Sequence, residues 1–92
     1  MAEARAWRVE FVADAARDLR KLGPDAERAI LRYLRQRIAT AEDPRRFGRA
    51  LTWDLKGLWR YRIGDYRVVA AIEDDRFIIL VVTVGHRREV YD

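Results

Sequence analysis

Three arginines, Arg60, Arg62 and Arg67, lie on two short runs of β-branched and aromatic residues that flank Gly64-Asp65. A Gly-Asp pair between such runs reads as the tight turn of a β-hairpin. Alternation along the first strand separates Leu58, Arg60 and Arg62 from Trp59, Tyr61 and Ile63. Along the second it separates Arg67, Val69 and Ala71 from Tyr66, Val68, Ala70 and Ile72. With the aromatic face turned to a core, the three arginines share one sheet surface. A guanidinium offers a planar fork of donors and stays charged near neutral pH, so arginines grouped on a rigid platform suit the gripping of phosphate. The bland alternative is a solvated face whose arginines pair with Asp54, Glu73 or Glu89.

The basic character extends upstream. Between Arg45 and Arg67 stand seven basic residues (Arg45, Arg46, Arg49, Lys56, Arg60, Arg62, Arg67) against Asp54 and Asp65, a balance that fits a polyanionic partner. Lys56, beside Gly57 at the mouth of the hairpin, can bind phosphate or simply face water. His86 is the only histidine, and its intrinsic pKa of about 6.5 makes it the natural acid or base on chemistry alone.

The elements that must position these groups follow from periodicity. Trp7, Val9 and Phe11 alternate with Arg8 and Glu10 as an edge strand. From Val12 the apolar positions Val12, Ala15, Ala16, Leu19 and Leu22 follow a helical stripe, with Asp14 and Asp18 early and Arg20 and Lys21 late, as the helix dipole prefers. Gly23 stops that helix and Pro24 opens a longer one with the stripe Ala26, Ala29, Ile30, Tyr33, Leu34, Ile38 and Ala41. Asp43-Pro44 ends it, and Arg45 to Arg49 form a basic connecting loop. A short extended piece is expected over Leu51 to Lys56. After the hairpin, Asp74-Asp75 turns the chain into Phe77 to Val84, apolar on both faces and so a mid-sheet strand that Gly85 breaks. Trp7, Trp53, Trp59 and Tyr61 are expected in the core. The order predicts an α+β fold: an N-terminal strand, a two-helix hairpin, then an antiparallel sheet of three to four strands with the helices on one side.

Composition bounds the function. Ninety-two residues make one domain with a single modest core. Half the residues are hydrophobic and 37% are charged, with a net charge of +4 and a pI near 10.0. Seventeen of the 19 basic residues are arginine, a bias that a GC-rich genome explains as well as function does. The absence of cysteine excludes disulfides, thiol nucleophiles and Cys-bound zinc. With one histidine and no calcium-loop spacing, neither a metal nor a cofactor is expected. No run is long enough to span a membrane, and Glu3, Arg5 and Arg8 occupy the place of a signal peptide's apolar stretch, so the expected location is the cytoplasm.

Two stretches carry a resemblance. Gly-Leu-Trp-Arg-Tyr-Arg-Ile-Gly-Asp-Tyr-Arg-Val-Val at Gly57 to Val69, and Val-Gly-His-Arg-Arg-Glu-Val-Tyr at Val84 to Tyr91, resemble the RelE branch of the RelE/ParE bacterial and archaeal toxins, and the element order fits nearly the whole chain. The resemblance implies a RelE-like fold and a toxin of a type II toxin-antitoxin pair, neutralised by a cognate antitoxin that wraps its basic surface. It further implies a ribosome-dependent endoribonuclease that cleaves messenger RNA in the A site through attack by the RNA's own 2′-hydroxyl, leaving a cyclic phosphate.

On that resemblance Arg67 and Arg87 stabilise the pentavalent phosphate, and Tyr91 stacks on a base or helps take the 2′-hydroxyl proton. Arg60 joins them as a stabiliser of charge, while Arg62, Lys56, His86, Arg45 and Arg46 bind RNA. Some family members carry lysines on the first hairpin strand, proposed to manage protons. Trp59 or Leu58, Arg60 and Arg62 stand there in this sequence. Arginine, with a pKa above about 12, cannot act as a general base, yet it can stabilise charge in phosphoryl transfer. Two alternatives remain: a ParE-like inhibitor of DNA gyrase, and a catalytically degenerate module that keeps only antitoxin binding.

Overall fold

The computed structural model describes residues 5–51 and 57–86. Lys56, Arg87 and Tyr91, with Trp53 and nearly all of the extended piece expected over Leu51 to Lys56, lie outside them. Strand β1 (Arg8–Phe11) leads into helices α1 (Ala13–Lys21) and α2 (Pro24–Tyr33). A π-helical turn (Leu34–Ile38) and a 3-10 helix (Pro44–Phe47) then lead to strands β2 (Arg49–Ala50), β3 (Leu58–Ile63), β4 (Tyr66–Glu73) and β5 (Ile78–His86).

The five strands form one sheet in the order β1-β5-β4-β3-β2. β1 is at an edge, as its alternation predicts, but it pairs parallel with β5, whereas every other pairing is antiparallel. The fold is α+β with a mixed sheet. The helices cover one face, burying Ala15, Leu19, Ala26, Ile30, Leu34 and Ile38 against Tyr61, Val68, Ala70, Ile79 and Val81. Each large aliphatic side chain so buried is worth about 1.5–3 kcal/mol.

The helical stripe runs on past α2 only because the helix changes its winding. Ala39 N–H donates to the Leu34 carbonyl, five residues back, at 2.8 Å. The wider turn brings Ile38 under Leu34, and both are buried. Ala29 and Ala41, counted in the stripe from the sequence, are exposed instead.

The hairpin turn closes between Ile63 and Tyr66, and Gly64 takes a φ of 61°. A side chain there would be strained, and a positive φ at this first turn position matches the twist of the strands. The next turn is less regular. Phe77, expected as the first residue of β5, has a φ of 56° and lies in the turn, its ring 5.0 Å from that of Trp7. The strand that Gly85 was expected to break runs on to His86, because Gly85 keeps its place in the ladder opposite Arg67.

The basic loop is also more structured than its sequence suggests. The Asp43 side chain accepts a hydrogen bond from Arg45 N–H at 3.0 Å and caps the 3-10 helix. Tyr61, fully buried, donates its hydroxyl to the Pro44 carbonyl at 2.9 Å, tying that helix to β3.

Candidate functional site

The register of β3 and β4 delivers the arginine face. Arg62 pairs with Arg67 and Arg60 with Val69, so Arg60, Arg62 and Arg67 emerge on the side of the sheet away from Tyr61 and Val68. A fourth arginine joins them: Arg49 on β2 pairs with Arg60. The face thus has one row running Arg49, Arg60, Val69, Thr83 and a second running Arg62, Arg67, Gly85.

The arginines differ in how they are held. Arg60 and Arg67 are each only 8% exposed, so their stems are packed and their heads are fixed in place. Arg62 and Arg49 are exposed. Opposite Arg67 the glycine at 85 contributes no side chain. Beside Arg60 and Arg62, at the sheet edge, is a cavity of about 210 Å³ lined by Phe47, Gly48, Arg49, Arg60 and Arg62.

Other residues expected at the site lie elsewhere. His86 pairs with Tyr66, which puts it on the face opposite to Arg67, with its ring 5.9 Å from that of Tyr66 in an edge-on contact. The structure therefore does not bring His86 to the arginines, since residues adjacent in a strand point to opposite sides. Arg45 donates to Asp74 at 2.6 Å and Asp43 at 3.3 Å, and its guanidinium lies 5.7 Å from the Trp59 ring. Its hydrogen bond to Asp74 raises its own pKa and holds the Asp74 carboxyl below its ordinary range. Arg46 pairs with Glu42 and sits 4.9 Å from the Phe47 ring. Neither is part of the sheet-borne cluster.

Tyr33 and Tyr61, on the helical side, hold their protons more tightly than an exposed tyrosine does. Burial pushes the Tyr61 hydroxyl well above its ordinary value, and the neighbouring Tyr33 adds to the effect. Burial also raises Tyr33, which Arg37 partly offsets. Among the described residues the arginine face can bind and neutralise an anion, but it holds no side chain that titrates near neutral pH.

Comparison with known proteins gives this face its context. The family model described as the ParE toxin of the type II toxin-antitoxin system, parDE, matches residues 9–91. Toxin RelG of Mycobacterium tuberculosis is 31% identical over 85 residues, covering 92% of this chain and 95% of its own. Toxin RelE of the same organism is 33% identical over 91 residues, covering 99% of this chain and 92% of its own. The chain belongs to the RelE branch of the RelE/ParE toxin superfamily. It is thus a toxin of a type II toxin-antitoxin system.

The solved structures agree in fold. A chain of the RelBE2 toxin-antitoxin complex of M. tuberculosis superposes on this toxin with a TM-score of 0.81 at 28% identity, over 97% of this chain and 100% of that one. The isolated Escherichia coli RelE toxin gives 0.71 at 21% identity, over 88% and 84%, a likeness of fold alone.

Two residues of this surface escape a sequence reading. Arg49 appears there only as one more charge in a basic loop, because nothing in the sequence fixes how a two-residue strand pairs with β3. Phe47 gives no periodic signal either, and its place at the cavity follows from the 3-10 helix that it ends.

Proposed function

We propose that this toxin is an endoribonuclease that cleaves messenger RNA in the ribosomal A site by in-line attack of the 2′-hydroxyl on the adjacent phosphorus, leaving a cyclic phosphate. The observation that carries the reading is the shared face of Arg60, Arg62 and Arg67, with Arg62 and Arg67 directly opposed. Charge gathers on the phosphate as the nucleophile adds, and fixed guanidiniums stabilise it without reorganising. Arg67 and Arg60 fill that role here. Arg87 joins them and Tyr91 assists the 2′-hydroxyl, both on the family resemblance, while Arg62 and Lys56 position the RNA.

The toxin acts in the cytoplasm and is held inactive in a heteromeric complex with a cognate antitoxin. The relatives supply the precedent: solved complexes pair RelE with RelB in E. coli and in Pyrococcus horikoshii. No helix among the described residues is long and apolar enough to cross a membrane.

Inducible expression with and without the antitoxin tests the reading, with growth followed together with primer extension on a translated message. Growth arrest with new cuts at codon positions, abolished by Arg67→Ala, supports it. Arrest without cuts would select the rival, a ParE-like inhibitor of DNA gyrase. No arrest would leave a binding module, the outcome suggested by arginines standing where some relatives carry lysines.

A further inference from the structure

The ladder between β4 and β5 slips by one residue. Ala70 pairs with Val81 and Val69 with Thr83, so Val82 is an extra residue, a β-bulge. Before it, Ile79 and Val81 point into the helix-covered core; after it, Val84 does. Without the extra residue Thr83 would stand opposite Val68 in that core and Val84 opposite Arg67. The bulge exchanges the two sides and brings Thr83 onto the arginine face, at the end of the row Arg49, Arg60, Val69.

Thr83 supplies what the arginines lack. A guanidinium has five donors and no acceptor, whereas a hydroxyl both donates and accepts. In the two rows of the face, Thr83 is the one side chain that can accept a hydrogen bond. Carboxylates farther out on the same side are engaged: Glu73 accepts from Arg76 at 2.8 Å and Glu10 from Arg8 at 3.1 Å. Thr83 is half-buried, and its hydroxyl makes no hydrogen bond among the described residues.

Its place fits one group of the substrate. Thr83 lies two residues before Gly85, and Gly85 pairs with Arg67. Thr83 is therefore the diagonal neighbour of Arg67, roughly 7 Å away, a span that a long side chain crosses. A phosphate held by Arg67 leaves the ribose on its 5′ side within that span. The 2′-hydroxyl of that ribose has a proton to donate, and a surface made of guanidiniums alone has nowhere to receive it.

We propose that Thr83 orients the attacking 2′-hydroxyl: its Oγ1 accepts the hydrogen bond from that group and so turns a lone pair of the 2′-oxygen toward the phosphorus. The inference deepens the RNA-cleaving reading above and rests on it. Thr83 does not take the proton, since a hydroxyl is no base at neutral pH. It fixes the direction of attack, and a nucleophile already held in line needs no further ordering at the moment of reaction.

The test compares Thr83→Val, which keeps the shape and removes the hydroxyl, with Thr83→Ser, which keeps the hydroxyl and removes the methyl. Single-turnover cleavage is measured on toxin-saturated ribosomes carrying a translated message. Affinity is measured on ribosomes carrying a message with a 2′-deoxyribose at the cut, which cannot be cleaved. Thr83→Val should cleave about tenfold more slowly and Thr83→Ser should stay near wild type, while all three bind the 2′-deoxy message equally. The proposal is overturned if Thr83→Val cleaves like wild type, which would mean that the bulge only keeps a hydroxyl out of the core. It is overturned as well if Thr83→Ser loses as much as Thr83→Val, which marks packing, or if Thr83→Val binds the 2′-deoxy message more weakly, which assigns the hydroxyl to a phosphate. If wild type cuts no message, the RNA-cleaving reading itself fails, and that outcome is read without either variant.

Discussion

Arg62 and Arg67 face each other directly across the β3–β4 ladder, two like charges on one side of one sheet. Directly opposed residues of this kind have Cβ atoms roughly 5 Å apart. Two guanidiniums so placed can grip one multivalent anion between them.

Multivalent phosphate should therefore stabilise the toxin. At matched ionic strength, pyrophosphate should raise Tm by a few degrees over chloride, since a ligand bound only by the folded state adds stability by mass action. Arg62→Ala should lose most of the gain in differential scanning fluorimetry. An equal response in the two proteins would mean that phosphate acts on the surface at large.

Arg67→Ala should lower the rate of RNA cleavage by about a hundredfold or more while the fold persists. Arg67→Lys should fall between, because an ammonium keeps the charge but not the planar fork. Single-turnover rates, set beside circular dichroism of the same preparations, decide this. Wild-type rates in Arg67→Ala would remove the arginine face from the chemistry.

The strap before β2 should tolerate little change. Gly48→Ala forces a Cβ against the Tyr61 ring and the β3 backbone and should cost about 1–3 kcal/mol in urea unfolding. Tyr61→Phe loses the hydroxyl that serves the Pro44 carbonyl and should cost about 1 kcal/mol. The two sites touch, so the double variant should lose less than the two costs added together.

Asp74 and Arg45 join the β4–β5 turn to the 3-10 helix, and the contact titrates. The Asp74 pKa is lower folded than unfolded, so its contribution is complete above the unfolded value, about 3.9, and is lost as the pH falls through the lower folded one. With the carboxylate 64% exposed, the contribution should be under about 1 kcal/mol. Asp74→Asn should be slightly less stable than wild type at pH 7 and converge with it in acid. A constant difference down to pH 2 would assign the effect to packing.

What the sequence made legible follows from how local each signal is. The hairpin's two faces could be read because strand alternation and the turn at Gly64 lie within a few residues of each other. The helical pair was legible for the same reason, with Gly23 and Pro24 marking the break. The parallel pairing of β1 with β5 was not, since no local pattern distinguishes the two directions. The winding change at Leu34–Ile38 was hidden too, because the stripe through Ile38 reads as an ordinary helix until the Leu34 carbonyl is seen to accept from Ala39. At the site, Arg60, Arg62 and Arg67 could be grouped from spacing alone, whereas Arg49 and Phe47 depend on tertiary register. His86 was drawn toward the site by its chemistry and placed away from it by strand parity.

The parallel pairing of β1 with β5 also governs when this molecule comes into being. As the chain is synthesised, β1 precedes its partner strand among the described residues by both helices and the whole hairpin. The sheet cannot close until that late segment is free to dock, and non-local closures of this kind are slow. The sheet is thus unfinished until the segment after the hairpin has been made, and the interval gives a waiting antitoxin time to meet the toxin.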